Sequence, residues 1–293
     1  MADGPLADVL LPLAIVLIMI AMGMTLTGAD FVRLRAQARA VVTGVVCQVL
    51  VLPALGFAAA WLFDLDTVFA VGMVLLASSP GGSTSNLIVH VTDLDRPLSL
   101  ALTAISNVFV FITMPVSLGL AQDAFGELDG DVAVPVGELI LQIAALTVVP
   151  IGIGMAVRAK APEVAIRFEE PGKRLASTVF AVIVFALVVQ NWDVIVDDAP
   201  DFAPAFIAMN LAALSLGWGI ARGVGLSGRE SATIGLEVGV QNGTLAIAVA
   251  LSVFDNDDLA LVPGLYGLWM LVTGFGFAFL ARRSAREPAL AEV

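Results

Sequence analysis

Apolar runs of about 20 residues that contain no lysine or arginine recur along the whole chain. A helix needs roughly 20 apolar residues to cross about 30 Å of hydrocarbon, so each run predicts a membrane-spanning helix. The pattern favours an all-α polytopic membrane protein with nine spans, embedded in the lipid bilayer. The predicted spans are residues 5–27, 40–63, 67–91, 98–121, 135–157, 175–191, 202–220, 231–254 and 259–281.

The 14 lysines and arginines lie in alternate connecting loops, which agrees with a count of nine spans. By the positive-inside rule these loops are cytoplasmic, so we expect the N-terminus outside and the C-terminus inside the plasma (inner) membrane. We expect the first span to be retained, because it lacks a basic start and a clean cleavage site. The outer loops carry 13 of the 26 acidic residues, which form either a cation-concentrating vestibule or a generally acidic surface.

The composition excludes several kinds of partner and site. The chain is 59% apolar and 14% charged, as expected when much of the surface faces lipid. The net charge of −12 argues against nucleic acid as a partner, because no basic face could release counterions from phosphates. A single cysteine and a single histidine exclude a disulfide framework and provide no ligand set for a transition metal.

Two of the predicted spans are interrupted by polar and helix-breaking residues. Residues 78–86 read Ser-Ser-Pro-Gly-Gly-Ser-Thr-Ser-Asn, and residues 237–244 read Glu-Val-Gly-Val-Gln-Asn-Gly-Thr. Proline and paired glycines break the helical hydrogen-bond ladder, and the freed backbone groups need a cavity enclosed by protein or filled by water. We therefore expect both breaks to face the interior of a helix bundle.

The interrupted spans occupy corresponding positions if spans one to four are related to spans six to nine. The fifth span reverses the side from which the second half enters, so the pattern predicts an inverted repeat. Paired interrupted spans in two inverted halves are typical of secondary transporters, whose binding site lies near the middle of the bilayer.

Glu237 is the one acidic residue near the centre of a predicted span, and no lysine or arginine lies at that depth. Burying its charge is costly unless a cation or a proton compensates. The carboxylate is either satisfied by hydrogen bonds within the protein or bound to a cation from solution, and the two helix breaks favour the cation. Oxygen donors in the spans include Gln48, Ser85, Asn86, Ser99, Thr103, Asn107 and Gln241.

The half-helices that follow the breaks begin near residues 83–86 and 242–244. Helix N-termini attract anions, because their first N–H groups have no partner within the helix. Cation ligands on one side and two helix N-termini on the other suit the cotransport of a small organic anion with a cation.

These residues resemble the bile acid:sodium symporter family in the segments 80–86 and 237–242, in Ser99 and in Thr103. The resemblance covers nearly the whole chain and implies two crossing discontinuous helices and two bound sodium ions (Na⁺). It implies that one sodium site uses Ser85, Asn86, Ser99, Thr103 and Glu237. It implies that the other uses Gln48, Glu237, Gln241 and the carbonyls of Val238 and Val240, and that substrate binds near Ser83, Thr84, Asn242 and Gly243.

The same resemblance implies a division into core and panel domains. Residues 1–39 and 135–222 would form the panel, with spans one, five and six and part of the linker to span seven. Residues 40–134 and 202–281 would form the core, and residues 282–293 a cytoplasmic tail.

Three functions are compatible with this sequence. The favoured one is a sodium-coupled symporter of organic anions, such as bile acids or small carboxylic acids, that works by alternating access. A proton-coupled carrier is disfavoured by the oxygen ligands expected around Glu237, which a proton does not need. A membrane sensor or enzyme is disfavoured because no nucleophile–base pair is visible. The sequence identifies neither the anion nor the oligomeric state.

Overall fold

A computed structural model of the protein describes residues 13, 16, 17, 19–27, 37–128 and 136–285. Within these ranges the regular structure is helical apart from one isolated β-bridge, which confirms the all-α prediction. We label the helices α1 (Ala38–Leu62), α2 (Thr67–Ala77), α3 (Ser83–Val91), α4 (Arg96–Phe125), α5 (Val136–Leu146 and Val148–Lys160), α6 (Pro162–Gln190), α7 (Trp192–Gly223), α8 (Gly228–Gly239), α9 (Gly243–Ser252) and α10 (Asp257–Ala285). Helix α1 contains one π-helical turn, Cys47–Val51.

Five helices in the described part of the chain are long and apolar enough to cross a membrane. They correspond to the second, fourth, fifth, seventh and ninth predicted spans. The sixth predicted span falls within α6, and the first lies mostly outside the described residues, with 19–24 helical. The count of nine spans therefore stays a prediction. The five long helices are Ala38–Leu62, Arg96–Phe125, Gly137–Lys160, Trp192–Gly223 and Asp257–Arg282.

The structure differs from the sequence-based expectation in two connecting segments. We expected loops at residues 158–174 and 192–201, but α6 begins at Pro162 and α7 begins at Trp192, so both segments are largely helical. The reason is that hydropathy reports the length of chain that suits hydrocarbon. Charged residues can continue a helix beyond the hydrocarbon.

Both predicted helix breaks are present. Helices α2 and α3 are separated by residues 78–82, and helices α8 and α9 by residues 240–242. The two unwound segments run antiparallel and meet at a β-bridge between Gly81 and Gln241. The N–H of Asn242 donates to the carbonyl of Pro80 at 2.8 Å. Backbone groups freed by one break are thus satisfied by the other, as an apolar environment requires.

Paired glycines let the two unwound backbones cross at close range. A Cβ atom on Gly82 would lie only 3.3 Å from the Cα of Asn242. A Cβ atom on Gly81 would contact the carboxylate of Glu237. Side chains at these two positions would therefore push the second break, or its carboxylate, away from the first.

The two breaks lie in the interior of the bundle, as expected, and so do the helices that lead into them. Residues 69–77 of α2 and 231–239 of α8 are all buried. By contrast, apolar side chains on α1, α4, α6 and α10 are exposed, which suits contact with lipid. These exposed side chains include Val42, Leu50, Val116, Leu120, Phe185 and Val272.

Helix α8 approaches α7 through small residues. A Cβ atom on Gly235 would lie 2.8 Å from the carbonyl oxygen of Leu214 and 3.0 Å from the Cβ of Trp218. Gly217 faces the same contact, with its Cβ position 3.0 Å from the Cα of Gly235. Small residues at such a contact let two membrane helices pack backbone to backbone.

We expect Gly235→Ala to destabilise the protein by about 1–3 kcal/mol, because the added methyl group meets the backbone of α7. Gly219→Ala on α7 is the matched control, since a Cβ atom there would meet no described atom within 4 Å. Thermal unfolding of both variants in detergent checks this expectation. Equal unfolding temperatures for the two variants would contradict the tight helix contact.

Candidate functional site

The Glu237 carboxylate lies in a buried cluster of hydroxyl groups beside the crossing. Glu237 is near the end of α8 and only 2% exposed. The Ser99 hydroxyl donates to one carboxylate oxygen, Oε1, and the Thr103 Oγ1 donates to the other, Oε2, at 3.0 Å. Ser99 and Thr103 reach the same carboxylate because they are one turn apart on α4.

Helix α3 adds two residues to this cluster. The Asn86 Oδ1 accepts a hydrogen bond from Ser99 Oγ at 2.8 Å, and its Nδ2 donates to Thr103 Oγ1 at 3.1 Å. The Ser85 hydroxyl donates to the carbonyl of Gly82 at 2.8 Å and also interacts with the Glu237 carboxylate. The structure therefore brings together all five residues of the first predicted site.

A second cluster, of two amide side chains, joins α1 to the break between α8 and α9. The Gln48 Nε2 donates to Gln241 Oε1 at 2.7 Å and to the carbonyl of Ser79 at 3.0 Å. The Gln241 Nε2 donates to the carbonyl of Val238 at 2.6 Å and, at 3.4 Å, to that of Glu237. Gln48, Gln241 and Val238 of the second predicted site are thus in contact.

Val240 is the remaining member of the second predicted site. It is fully buried and extended, and its N–H donates to the carbonyl of Leu236 at 2.9 Å. The described contacts do not join its carbonyl to Gln48 or Gln241.

The residues predicted to bind substrate lie at two helix N-termini on either side of the crossing. Ser83 is the first residue of α3, and the partly buried Thr84 follows it. Asn242 precedes α9, and its Oδ1 caps the helix by accepting from the N–H of Leu245 at 3.1 Å. Gly243 is the first residue of α9. Since Gly82 lies against Asn242, both N-termini lie close together at the crossing.

The electrostatics of the site follow from its buried acid and neutral donors. The described hydrogen bonds to the Glu237 carboxylate come from hydroxyl groups, which carry no charge. A buried carboxylate surrounded by hydroxyl and amide oxygens matches the ligands that a hard cation prefers. The arrangement can therefore bind a small cation next to two helix N-termini that favour an anion.

One buried polar cluster was missed by the sequence analysis. The Asn210 Nδ2 donates to the carbonyl of Gly239 at 2.8 Å and to the Tyr266 hydroxyl at 3.0 Å. The Tyr266 hydroxyl also donates to the Gly239 carbonyl, at 2.8 Å. No sequence pattern joins these residues, because α7 and α10 each contribute one polar side chain within a long apolar run.

Comparison with known proteins gives matches along most of the chain. The Sodium Bile acid symporter family matches residues 12–198. The ileal sodium/bile acid cotransporter of Homo sapiens is 26% identical over 267 residues, which cover 89% of this chain and 75% of that protein. The probable sodium/metabolite cotransporter BASS1, chloroplastic, of Oryza sativa subsp. japonica is 24% identical over 245 residues, which cover 84% of this chain and 59% of that protein. With the five long apolar helices, these matches identify a multi-pass membrane protein.

We expect Thr103→Val to lower the stability by about 1–3 kcal/mol, because it removes the described hydroxyl donor to Oε2 of the buried Glu237 and one of the two acceptors of the Asn86 amide. Thr92→Val is the matched control, since the Thr92 hydroxyl is buried but bonds only to the carbonyl of Ile88 in its own helix. In Thr92→Val the Ile88 carbonyl still accepts a hydrogen bond from the backbone N–H of residue 92. Thermal unfolding in sodium-free buffer should rank Thr103→Val well below Thr92→Val, and the reverse order would contradict the cluster.

Proposed function

Since the chain belongs to the Sodium Bile acid symporter family, we propose that it is a sodium-coupled secondary active transporter of small organic anions. The observation that carries this proposal is the buried Glu237 carboxylate, held by neutral hydroxyl groups where two broken helices cross. Such a carboxylate has a charge that only a cation or a proton from solution would balance.

We infer that two sodium ions bind next to this carboxylate. The first would be held by oxygen atoms of the Glu237 hydroxyl cluster, contributed by Ser85, Asn86, Ser99, Thr103 and Glu237. Hydroxyl, amide and carboxylate oxygens are hard ligands, and four of these five residues lie within one connected hydrogen-bond network.

The second ion would be held by Gln48, Glu237, Gln241 and the carbonyls of Val238 and Val240. In the structure the Gln241 Nε2 donates to the Val238 carbonyl, so a cation placed there needs the amide to turn its oxygen inward. We infer that sodium binding changes the second break in this way. The cation replaces the Gln241 N–H as the partner of the Val238 carbonyl.

The organic anion would bind where the N-termini of α3 and α9 meet, near Ser83, Thr84, Asn242 and Gly243. No lysine or arginine lies in either broken span, so helix N-termini and bound sodium would supply the positive field. The names of the relatives specify bile acids for one and a metabolite for the other. Both descriptions are compatible with a carboxylate ligand.

We also propose how the transporter is arranged in the membrane. Nine spans would form an inverted repeat with the N-terminus outside and the C-terminus in the cytoplasm, in the plasma (inner) membrane. Residues 40–134 and 202–281 would form a core around the crossing. Residues 1–39 and 135–222 would form a panel that moves against the core during alternating access.

Sodium coupling is tested by thermal unfolding of the purified protein with a panel of bile acids and short carboxylic acids, in sodium and in potassium at equal ionic strength. We expect at least one acid to stabilise the wild-type protein in sodium only. The Glu237→Gln variant should lose this effect, because it removes the charge that balances the cation. Glu230→Gln is the matched control, since Glu230 lies at the exposed start of the same helix.

Thermal unfolding and proteoliposome assays together separate the competing functions. Equal stabilisation of the wild-type protein in both salts would contradict sodium coupling. Uptake into proteoliposomes that follows a pH gradient and ignores sodium would instead support a proton-coupled carrier. Conversion of the labelled acid, rather than its accumulation, would support an enzyme.

The anion site is tested separately with Asn242→Ala. We expect a loss of about 1 kcal/mol in stability from the missing helix cap, together with a loss of anion-dependent stabilisation. Asn256→Ala is the matched control, because the Asn256 Oδ1 caps α10 in the same way, accepting from the Leu259 N–H at 2.8 Å. It should cost similar stability and leave anion binding intact. Unchanged anion binding by Asn242→Ala would remove Asn242 from the site.

A further inference from the structure

A buried polar cluster fixes the C-terminal end of α8 on the side facing α7 and α10. It consists of the Asn210 amide, the Tyr266 hydroxyl and the Gly239 carbonyl, joined by three hydrogen bonds of 2.8–3.0 Å. Asn210 and Tyr266 are both fully buried. The Gly239 carbonyl, which the break leaves without a helical partner, therefore receives two side-chain donors.

The cluster is not explained by stability alone. The Oδ1 of Asn210 is buried and has no hydrogen-bond partner among the described residues. Burying an unpaired acceptor costs free energy, and an apolar side chain of similar size would avoid that cost. The asparagine thus supplies a donor to Gly239 and to Tyr266, and leaves one buried acceptor unpaired.

The position of Gly239 connects the cluster to the proposed sodium sites. Gly239 lies two residues after Glu237 and between Val238 and Val240. The Gln241 amide contacts the carbonyls of Glu237 and Val238, while Tyr266 and Asn210 hold the next carbonyl along the chain. The backbone that would present two carbonyl ligands is thus anchored at the residue between them.

The anchor lies where α7 packs tightly against α8. A Cβ atom on Gly239 would contact the side chain of Leu214, one turn after Asn210 on α7. Gly217 on the same face of α7 packs against Gly235 of α8. A displacement of Asn210 therefore displaces the unwound segment with it.

We propose that Asn210 and Tyr266 are positioning residues that set the sodium affinity and the ion selectivity of the site, by holding the unwound end of α8 in its binding geometry. This inference rests on the proposed sodium coupling. Neither side chain is among the ligands assigned to the two ions, so both act through the Gly239 carbonyl.

The test is a sodium chloride titration of thermal stability, with choline chloride keeping the ionic strength constant, repeated with lithium chloride. The variants are Tyr266→Phe, Asn210→Leu and the double variant. Each single change leaves Gly239 one donor, and the double change leaves it none. Thr147→Val is the control, because it removes another fully buried hydroxyl, which bonds to the Ile143 carbonyl on α5 at 2.6 Å.

We expect the half-saturating sodium concentration to rise about threefold to tenfold in each single variant, more in the double variant, and not at all in Thr147→Val. The preference for sodium over lithium should fall in parallel. Asn210→Leu should unfold in choline at nearly the same temperature as wild type, because it removes an unpaired acceptor together with two hydrogen bonds. A purely structural role predicts the opposite pair of results, a lower unfolding temperature with unchanged sodium affinity and selectivity.

The titration distinguishes a failure of this proposal from a failure of the proposed sodium coupling. A wild-type protein that does not respond to sodium overturns the sodium coupling itself. A wild-type protein that responds, with a double variant of equal affinity and selectivity, overturns only the role of Asn210 and Tyr266. If the double variant does not accumulate in the membrane, the two single variants decide by the same criteria.

Discussion

The hydrogen bonding between two unwound backbone segments is the constraint on which the rest of the structure depends. Two breaks inside an apolar bundle would each leave several peptide groups unpaired, at a cost that lipid cannot offset. The bridge between Gly81 and Gln241 includes the hydrogen bond from the Asn242 N–H to the Pro80 carbonyl. Each segment thus supplies hydrogen-bond partners for peptide groups of the other. The close approach requires glycines at the crossing, and it sets where the neighbouring side chains point.

The polar clusters surround this crossing. The Glu237 hydroxyl cluster lies where α3, α4 and α8 meet, and the Gln48–Gln241 pair lies between α1 and the second break. In a medium of low dielectric constant, a carboxylate so placed interacts strongly with any cation that reaches it. The same low dielectric constant makes the hydrogen bond from each neutral donor in the clusters stronger than it would be in water.

Much of this arrangement could be predicted from the sequence. The two breaks were predicted because polar residues within an apolar run are conspicuous, and the grouping of oxygen donors around Glu237 was implied by the family resemblance; the structure has both. The helical structure of residues 162–174 and 192–201 was not predicted. Hydropathy identifies the residues that suit the hydrocarbon layer, but it does not show where a helix begins or ends. The contact between Asn210 and Tyr266 could not be predicted, because the two residues lie on different helices and each is flanked by apolar residues. Helical periodicity gives the face of a residue but not its partner.

The bridge between the two breaks also has a consequence for how the protein is made. Its two sides are separated by more than half of the chain, and synthesis proceeds from the N-terminus. When α2 and α3 have entered the bilayer, the Pro80 carbonyl still lacks the Asn242 N–H that will later satisfy it. The nascent first half must therefore keep these peptide groups in contact with water or with an insertion factor until ribosomes have delivered α8 and α9.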